Sequence, residues 1–258
     1  MTADSSLYRP DSKLLLANPE GKLVLPLDSL SVVDQDNPNP AVLRGVFTIL
    51  HHPAITHRFA NLPHDLARMH EIATTPKIHI ITAQDPETGM TIATASITDS
   101  HAPEHEPWIG HVGVHPDYQG RGVGRQLFEY TLYHAFTNPD SEGVWREKLY
   151  MGVTLNEGHS SILALARKMG FSSVWQLQNQ IGEQSSYENW AELVADWQDE
   201  MQHRDRTERH MITMETWAMK AARGHYPNLS VWGLTDQVRQ DLAEAGVSIA
   251  ANANGNGH

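Results

Sequence analysis

The chain has 258 residues, 40% of them hydrophobic, so it can bury a substantial core and suits one large domain. It contains no cysteine, which excludes disulfides and thiolate chemistry. The net charge of −12 disfavours a nucleic-acid partner, because neutralising many phosphates needs the opposite balance. The first residues lack an apolar signal core, and no run approaches the length of a membrane span. The sequence therefore predicts a cytoplasmic protein with no membrane partner.

Residues 1–76 are predicted to hold a hairpin followed by two helices. The hairpin has its turn at residues 18–21, where the final glycine tolerates a positive φ. Helical spacing covers residues 41–50, after an N-cap at Asn39 and a proline at the first helical position. The second helix is expected to begin near Pro63.

The middle of the chain is predicted to alternate strands and helices. Its first two strands form an antiparallel hairpin, because two alternating apolar runs flank the turn at residues 85–89. The predicted elements are strands over 76–84, 90–99 and 108–115, a helix over 125–136, a loop over 138–147, a strand over 148–156, a helix over 159–170 and a strand over 174–181.

The last quarter of the chain has a different character. Residues 187–204 are acidic, with helical spacing that places Trp190 and Trp197 on one face. Residues 210–219 fit either a strand or a helix, and residues 234–246 fit a short helix. The tryptophans of this region, which include Trp217 and Trp232, can dock it on the core. They can also line an acceptor pocket or a dimer interface.

Three glycines, Gly120, Gly122 and Gly124, stand between a strand and a helix. Bare backbone at a helix N-terminus is suited to holding phosphate, because amide N–H groups can approach the anion. A dinucleotide fold would need G-x-G-x-x-G after a parallel strand, and a P-loop would need Lys-Ser/Thr after the last glycine. The spacing of the three glycines meets neither requirement. The alternative to a phosphate-binding turn is a tight turn that binds no ligand.

The stretch Val114-His-Pro116 followed by Gln119-Gly-Arg-Gly-Val-Gly124 resembles the signature of the GNAT superfamily of acyl-CoA N-acyltransferases, V-x-P-x-x-Q/R-x-x-G-x-G/A. Residues 153–156 and 167–171 also resemble later parts of that family. The resemblance is strongest over residues 77–181. It implies an α/β GNAT fold with a mixed, mostly antiparallel, splayed sheet flanked by helices and followed by a helical C-terminal extension.

On this resemblance the chain divides into four parts. Residues 1–76 form the N-terminal part of the fold with the added hairpin and helices, and residues 77–183 form the acyl-CoA-binding core. Residues 184–250 form a C-terminal helical extension that completes the fold. Residues 251–258 are expected to be a disordered tail.

The resemblance also implies acetyl-CoA as the co-substrate and no metal. The pantetheine arm would lie in the opening of the sheet, and the amides of residues 119–124 would hold the pyrophosphate. Arg121 and Arg125 could add charged contacts. The residues implied in coenzyme A binding are Val112, Gly113, Val114, Gln119, Gly120, Arg121, Gly122, Val123, Gly124, Arg125 and Asn156.

The resemblance also bears on the catalytic groups. The tyrosine that serves as the acid in many members would fall on Ala166 or Leu163, so the leaving thiolate would take its proton from water or another group. A glutamate frequent on the strand before the glycines corresponds to Trp108. The candidate bases are His111 and Glu106. Strict alternation puts His111 on the face opposite Val112, and a bulge in this strand would change that parity.

The function that these features predict is acetyl transfer from acetyl-CoA to a primary amine of a small molecule, by direct attack in a ternary complex. Two alternatives stay open. One is a non-catalytic acyl-CoA-binding or interaction module, and the other is an enzyme of the same fold with different chemistry. A homodimer is one of the assemblies left open.

Overall fold

The computed structural model describes residues 22–56, 62–99, 107–154, 160–173 and 207–244. Within these ranges seven strands form one sheet in the order β1-β2-β3-β4-β5-β7-β6. Neighbouring strands are antiparallel except β4 and β5, which run parallel. The strands are β1 (Leu30–Val32), β2 (Ile78–Gln84), β3 (Thr91–Thr98), β4 (Trp108–Val114), β5 (Lys148–Thr154), β6 (Ser172–Ser173) and β7 (Thr207–Thr213). The mixed, mostly antiparallel sheet expected from the sequence is confirmed.

Seven α-helices lie in the same described ranges, and the last three follow β7. They are α1 (Pro40–Leu50), α2 (Leu66–Ala73), α3 (Val123–Thr137), α4 (Ser160–Met169), α5 (Met214–Ala222), α6 (Pro227–Val231) and α7 (Thr235–Glu244). No helix of these ranges combines the length and the apolar character that crossing a bilayer requires.

The two faces of the sheet carry separate cores, because side chains alternate along each strand. Ile81 packs into the main cluster, together with Leu127 and Phe128 of α3. Its neighbour Ile80 packs with Val46 of α1 and Met69 of α2 on the other face. The side of the sheet that carries α3 is called the α3 face below, and the other is called the α1 face.

The first two helices begin at side-chain caps. Asn39 accepts a hydrogen bond from the backbone N–H of Ala41, and α1 begins at the proline that follows. The helix α2 begins at Leu66, three residues later than the position predicted near Pro63. The reason is that the carboxylate of Asp65 accepts from the backbone N–H of Arg68 and so caps the helix at that point.

The predicted hairpin at the N-terminus lies mostly outside the described residues, and its described part is wrong. Residues 22–26 form no strand; instead they run beside the start of α3. The N–H of Leu23 donates to the carbonyl of Arg121 at 2.9 Å, and the N–H of Leu25 donates to the side-chain oxygen of Gln126 at 2.7 Å. These partners take the backbone groups that a hairpin would need.

A buried ion pair joins the end of β3 to the loop before β5. Arg146 donates from Nε and one terminal nitrogen to the two carboxylate oxygens of Asp99, both at 2.7 Å. Its other terminal nitrogen donates to the carbonyls of Ala135 and Asn138 at the end of α3. The side chains of Arg146 and Asp99 are 2% and 8% exposed. Three separate segments therefore depend on one guanidinium.

The helices after β7 dock on α3. The buried carboxylate of Glu129 accepts from both the backbone and the side-chain N–H of Asn228 at the start of α6. Trp217 is fully buried and stacks on Phe136, and the Trp232 indole donates to the carbonyl of Leu25. Trp217 and Trp232 thus attach the C-terminal part to the core. Residues 210–219, for which strand and helix were both open, divide between β7 and α5.

Some predictions fall on parts of the chain that lie outside the described residues. They are the strand over 174–181, the acidic helix over 187–204 with Trp190 and Trp197, and the tail over 251–258.

Candidate active site

The sheet opens between β4 and β5. Within the described part of the chain these strands pair at Trp108↔Tyr150 and Ile109↔Met151 and at no later residue. The strand β4 nevertheless continues to Val114. The β4 edge beyond Ile109 therefore faces an opening, where its backbone can pair with an extended ligand as it would with a strand.

The strand β4 carries a bulge at the edge of this opening. Thr94 pairs with Gly113, and Ser96 pairs with Gly110. Two residues of β4, His111 and Val112, therefore stand opposite one residue of β3, Ala95. His111 has a φ of 49°, and in the described ranges no other residue except glycine has a positive φ. Residues other than glycine are uncommon in the left-handed region, and such conformations are concentrated at functional sites.

The bulge interrupts the alternation of side chains between Ile109 and Val112. Ile109 and Val112 both pack against the main core, although an unbroken strand would put them on opposite faces. The His111 side chain turns to the α1 face, where its Nδ1 is 3.1 Å from the hydroxyl oxygen of Ser96. Trp108 also lies on the α1 face, because it pairs with Thr98, two residues after Ser96 on β3. A bulge is therefore present, as considered from the sequence, but His111 still lies on the face opposite Val112, as strict alternation predicts.

The glycine turn leaves the N-terminus of α3 open. Gly120 and Gly122 have φ values of 74° and 86°, which L side chains rarely adopt. Gly122 is the N-cap of α3 and supplies no side-chain hydrogen bond. A side chain starting at Gly120 would meet no heavy atom within 4 Å, and one at Gly122 would approach only Gln126, at 3.9 Å, among the described residues. The first amides of α3 are therefore arranged to receive an anion.

Gly124 is required for a different reason. A Cβ at this position would lie 3.2 Å from a methyl carbon of Val114, so the missing side chain lets the helix approach β4 closely. Replacing Gly124 would disturb this packing before it blocked a phosphate. The contact of Gly124 with coenzyme A stays a prediction.

Hydrogen bonds from residues 115–119 stabilise the glycine turn. The Tyr118 hydroxyl donates to the buried carboxylate of Asp85 at 2.7 Å, and the Gln119 side chain donates to the carbonyl of Val114 at 2.9 Å. His115 closes the turn, because its Nδ1 accepts from the N–H of Asp117. Burial lowers the pKa of His115, which favours the neutral ring that can accept this bond. Side chains of the turn and of Asp85 thus fix its shape.

The two arginines of the turn have different surroundings. The guanidinium of Arg121 lies 5.6 Å from the centre of the Tyr118 ring. Arg125 donates to the carboxylate of Glu129 at 2.8 Å and to the carbonyl of His225 at 3.3 Å. Arg125 therefore joins α3 to the C-terminal helices, and its contact with a phosphate stays a prediction.

Aromatic and basic side chains meet at the base of the opening. Trp108 and Tyr150, the last pair but one before the strands separate, have ring centres 5.6 Å apart. The guanidinium of Arg209 lies 4.0 Å from the Tyr150 ring centre and 4.7 Å from that of Trp108. Lys148 lies 5.4 Å from the Tyr150 ring centre. The indole of Trp108 cannot act as the base that a glutamate would provide at this place.

Two predicted site residues, Glu106 and Asn156, lie outside the described residues. Ala166, one candidate position for the missing acid, is buried in the main core. Ser96 was not predicted, because its contact with His111 depends on the register of two strands. No group of three or more acidic or histidine side chains in the described ranges is arranged to hold a metal ion.

Comparison with known families places an acetyltransferase (GNAT) domain at residues 76–173. This range includes the opening, the bulge and the glycine turn. No curated protein sequence matches the chain.

Two solved structures illustrate what the chain is similar to. Spermidine N-acetyltransferase from Vibrio cholerae, in complex with CoA and spermine, is 13% identical, covers 74% of this chain and 98% of its own, and has a TM-score of 0.49. Ribosomal-protein-alanine N-acetyltransferase from Brucella melitensis is 15% identical, covers 71% of this chain and 99% of its own, and has a TM-score of 0.47.

The family match and the splayed mixed sheet agree with the resemblance stated from the glycine turn. Residues 76–173 of the chain match the acetyltransferase (GNAT) domain, and the resemblance to that family is confirmed over this range.

Proposed function

We propose that the protein transfers an acetyl group from acetyl-CoA to a primary amine of a small molecule, by direct attack in a ternary complex. The proposal rests on one observation, the arrangement of three features along β4 and the start of α3. The opening between β4 and β5 has the strained residue His111 at its side and the uncapped turn of α3 at its end.

The described residues fit a coenzyme A thioester. The backbone edge of residues 112–114 can pair with a pantetheine arm, and the amides after Gly122 can bind a pyrophosphate. Space beside Gly120 and Gly122 supports this assignment, since no described side chain crowds either position. Acetyl-CoA supplies the acetyl group as an activated thioester.

The chain contributes positioning and proton transfer. An alkylammonium group has a pKa of about 10, so the acceptor must lose a proton before its nitrogen can attack. His111 is the proposed base, and backbone N–H near Val114 is proposed to polarise the thioester carbonyl. The new N–C bond replaces the C–S bond, and the departing sulfur takes a proton from solvent. Glu106, acting through water, is the second candidate base.

The non-catalytic alternative has one specific observation in its favour. Tryptophan stands where a glutamate is frequent in the family, and Ala166 is buried where the acid would stand. Free thiol, measured during incubation with acetyl-CoA and a panel of amines, separates the two functions. Release of thiol that depends on the amine supports the transferase, and coenzyme A binding without release supports the module.

Acetyl-CoA at one hundred times its Kd is expected to stabilise the native protein by about 2.7 kcal/mol, or roughly 5–10 °C in Tm. Gly122→Val should abolish this shift, because a branched side chain would fill the phosphate's place at the head of α3. Thermal unfolding with and without acetyl-CoA measures both proteins.

Gly143→Val is the matched control for the backbone. Gly143 has a φ of 79°, with no heavy atom within 4 Å of a built Cβ, so the substitution carries similar strain far from the turn. It should lower Tm without changing the shift caused by acetyl-CoA. Equal shifts in the wild type and a folded Gly122→Val variant would remove the turn from the binding site.

Tyr150→Phe is expected to retain transferase activity within about tenfold, because the proposal assigns this hydroxyl no role as a general acid. Phenylalanine keeps the ring that contacts Arg209 and Trp108. Turnover at saturating acetyl-CoA is the measurement. A loss beyond about 10², with the acetyl-CoA thermal shift intact, would make Tyr150 the proton donor.

The cytoplasmic location, the homodimer and the absence of nucleic-acid and membrane partners stay predictions from the sequence.

A further inference from the structure

Ser96 is a side chain within hydrogen-bond distance of the His111 ring. It lies on β3 opposite Gly110, one position from the bulge, and is 5% exposed. A Cβ at Gly110 would come within 3.4 Å of the Ser96 hydroxyl oxygen. The glycine therefore leaves space around the hydroxyl, which the His111 ring approaches to 3.1 Å at Nδ1.

The direction of this hydrogen bond decides what His111 can do. If the hydroxyl donates to Nδ1, the ring proton stays on Nε2, and that nitrogen cannot accept another. If Nδ1–H donates to the hydroxyl oxygen, the lone pair lies on Nε2. A general base needs the second arrangement, in which the partner of one nitrogen prepares the other.

We propose that Ser96 is a positioning residue, which accepts a hydrogen bond from Nδ1–H of His111 and so fixes the ring with Nε2 as its proton-accepting atom. The inference rests on the proposed function in one respect, namely that His111 serves as its base. A hydroxyl suits this task because it can accept from Nδ1–H both when the ring is neutral and after Nε2 has gained a proton.

The backbone supports the same assignment. The left-handed conformation of His111 fixes where its side chain leaves the strand, and the Ser96 contact fixes the rotation of the ring. Strain in the backbone is maintained when the surroundings determine the conformation. Together the bulge and the hydroxyl hold one orientation of an imidazole at the edge of the opening.

Nitrogen-15 NMR of histidine-labelled protein tests the tautomer directly, with the His111 signals assigned by their loss in His111→Asn. We expect the neutral ring of the wild type to carry its proton on Nδ1. Ser96→Ala should move a measurable part of the population to the Nε2–H form, and Ser96→Thr should restore the wild-type spectrum. A wild-type proton on Nε2, or an unchanged spectrum in Ser96→Ala, would overturn the proposal.

Kinetics give the second measurement. Ser96→Ala should lower kcat by about 10–100-fold, less than the roughly 10²–10⁴ that a general base contributes, while the KM for acetyl-CoA is unchanged. Thr94→Val is the matched control, because Thr94 is a buried hydroxyl residue on the same face of β3. It should leave both the spectrum and kcat unaltered.

The two measurements separate this inference from the proposed function. The spectrum reports the tautomer whether or not acetyl transfer is observed. A protein that transfers no acetyl group, but shows the expected tautomer and its loss in Ser96→Ala, would contradict the transferase and retain the Ser96 assignment. A protein that transfers acetyl groups but carries the His111 proton on Nε2 would support the transferase and contradict the Ser96 assignment.

Discussion

Arg146→Met is expected to lower the free energy of unfolding by about 3–5 kcal/mol, because it leaves the carboxylate of Asp99 buried without its cation. The guanidinium also donates to two carbonyls at the end of α3, so its removal releases several contacts at once. Urea unfolding of the wild type and the variant measures the difference. Arg68→Met is the matched control, since the Arg68–Glu71 pair is exposed and should be worth at most about 1 kcal/mol. Similar losses in the two variants would contradict a special role for Arg146.

The same pair predicts a dependence on pH. Burial raises the pKa of Asp99, but hydrogen bonds from His79 and Arg146 and the charge of Arg146 outweigh it, so the pKa falls to about 2. A depressed carboxyl pKa stabilises the native state above the unfolded value of 3.8, and this contribution is lost as pH falls towards 2. The difference in stability between wild type and Arg146→Met should therefore narrow by about 2 kcal/mol between pH 5 and pH 2. A constant difference would show that Asp99 is not the titrating group.

His111→Asn is expected to lower the rate of acetyl transfer by roughly 10²–10⁴, which is the usual contribution of a general base. Asparagine tolerates the left-handed region better than most residues, so the bulge should be retained while the basic nitrogen is lost. In the wild type the rate should rise with pH through an ionisation in the histidine range, since only neutral imidazole accepts a proton. The variant should lack that rise.

A pH–rate profile on one good amine substrate measures this effect. His52→Asn is the control, because His52 is a histidine outside the opening whose Nδ1 caps the N–H of Ala54, a bond that asparagine can reproduce. It should retain the wild-type profile. If His111→Asn also retained that profile with a small uniform loss, the base would be another group, and Glu106 would be tested next.

The order of the elements and the location of the turn could be predicted from the sequence, because both depend on local signals. Asn39 and the following proline define the start of α1, and Gly120 and Gly122 occupy positions that need a positive φ. Alternation from Val112 predicts the face of His111 that is observed, but the position of the bulge could not be predicted in this way. It depends on a register shift opposite Ala95, and alternation along one strand contains no information about its partner.

Long-range partners explain the other differences. Arg146 lies in a polar stretch that was correctly predicted as a loop. Its side chain is nevertheless buried, because it forms an ion pair with Asp99, which lies 47 residues earlier in the chain. Leu23 and Leu25 have strand-like spacing, but their backbone groups bond to Arg121 and Gln126, about a hundred residues away. The local sequence pattern does not reveal which distant group accepts the hydrogen bond of a given backbone N–H.

The contact between Trp232 and Leu25 joins residues 207 positions apart and has a consequence for synthesis of the chain. At roughly 5–20 residues per second, a ribosome needs about 10–40 s to add the residues between them. During that interval α3 has been made, but Asn228, which binds its outer side, and Trp232, which binds the segment before β1, do not yet exist. The contacts that hold α3 in place are therefore made late in synthesis, and on the proposed function nascent chains are expected not to retain acetyl-CoA until translation has passed these two residues.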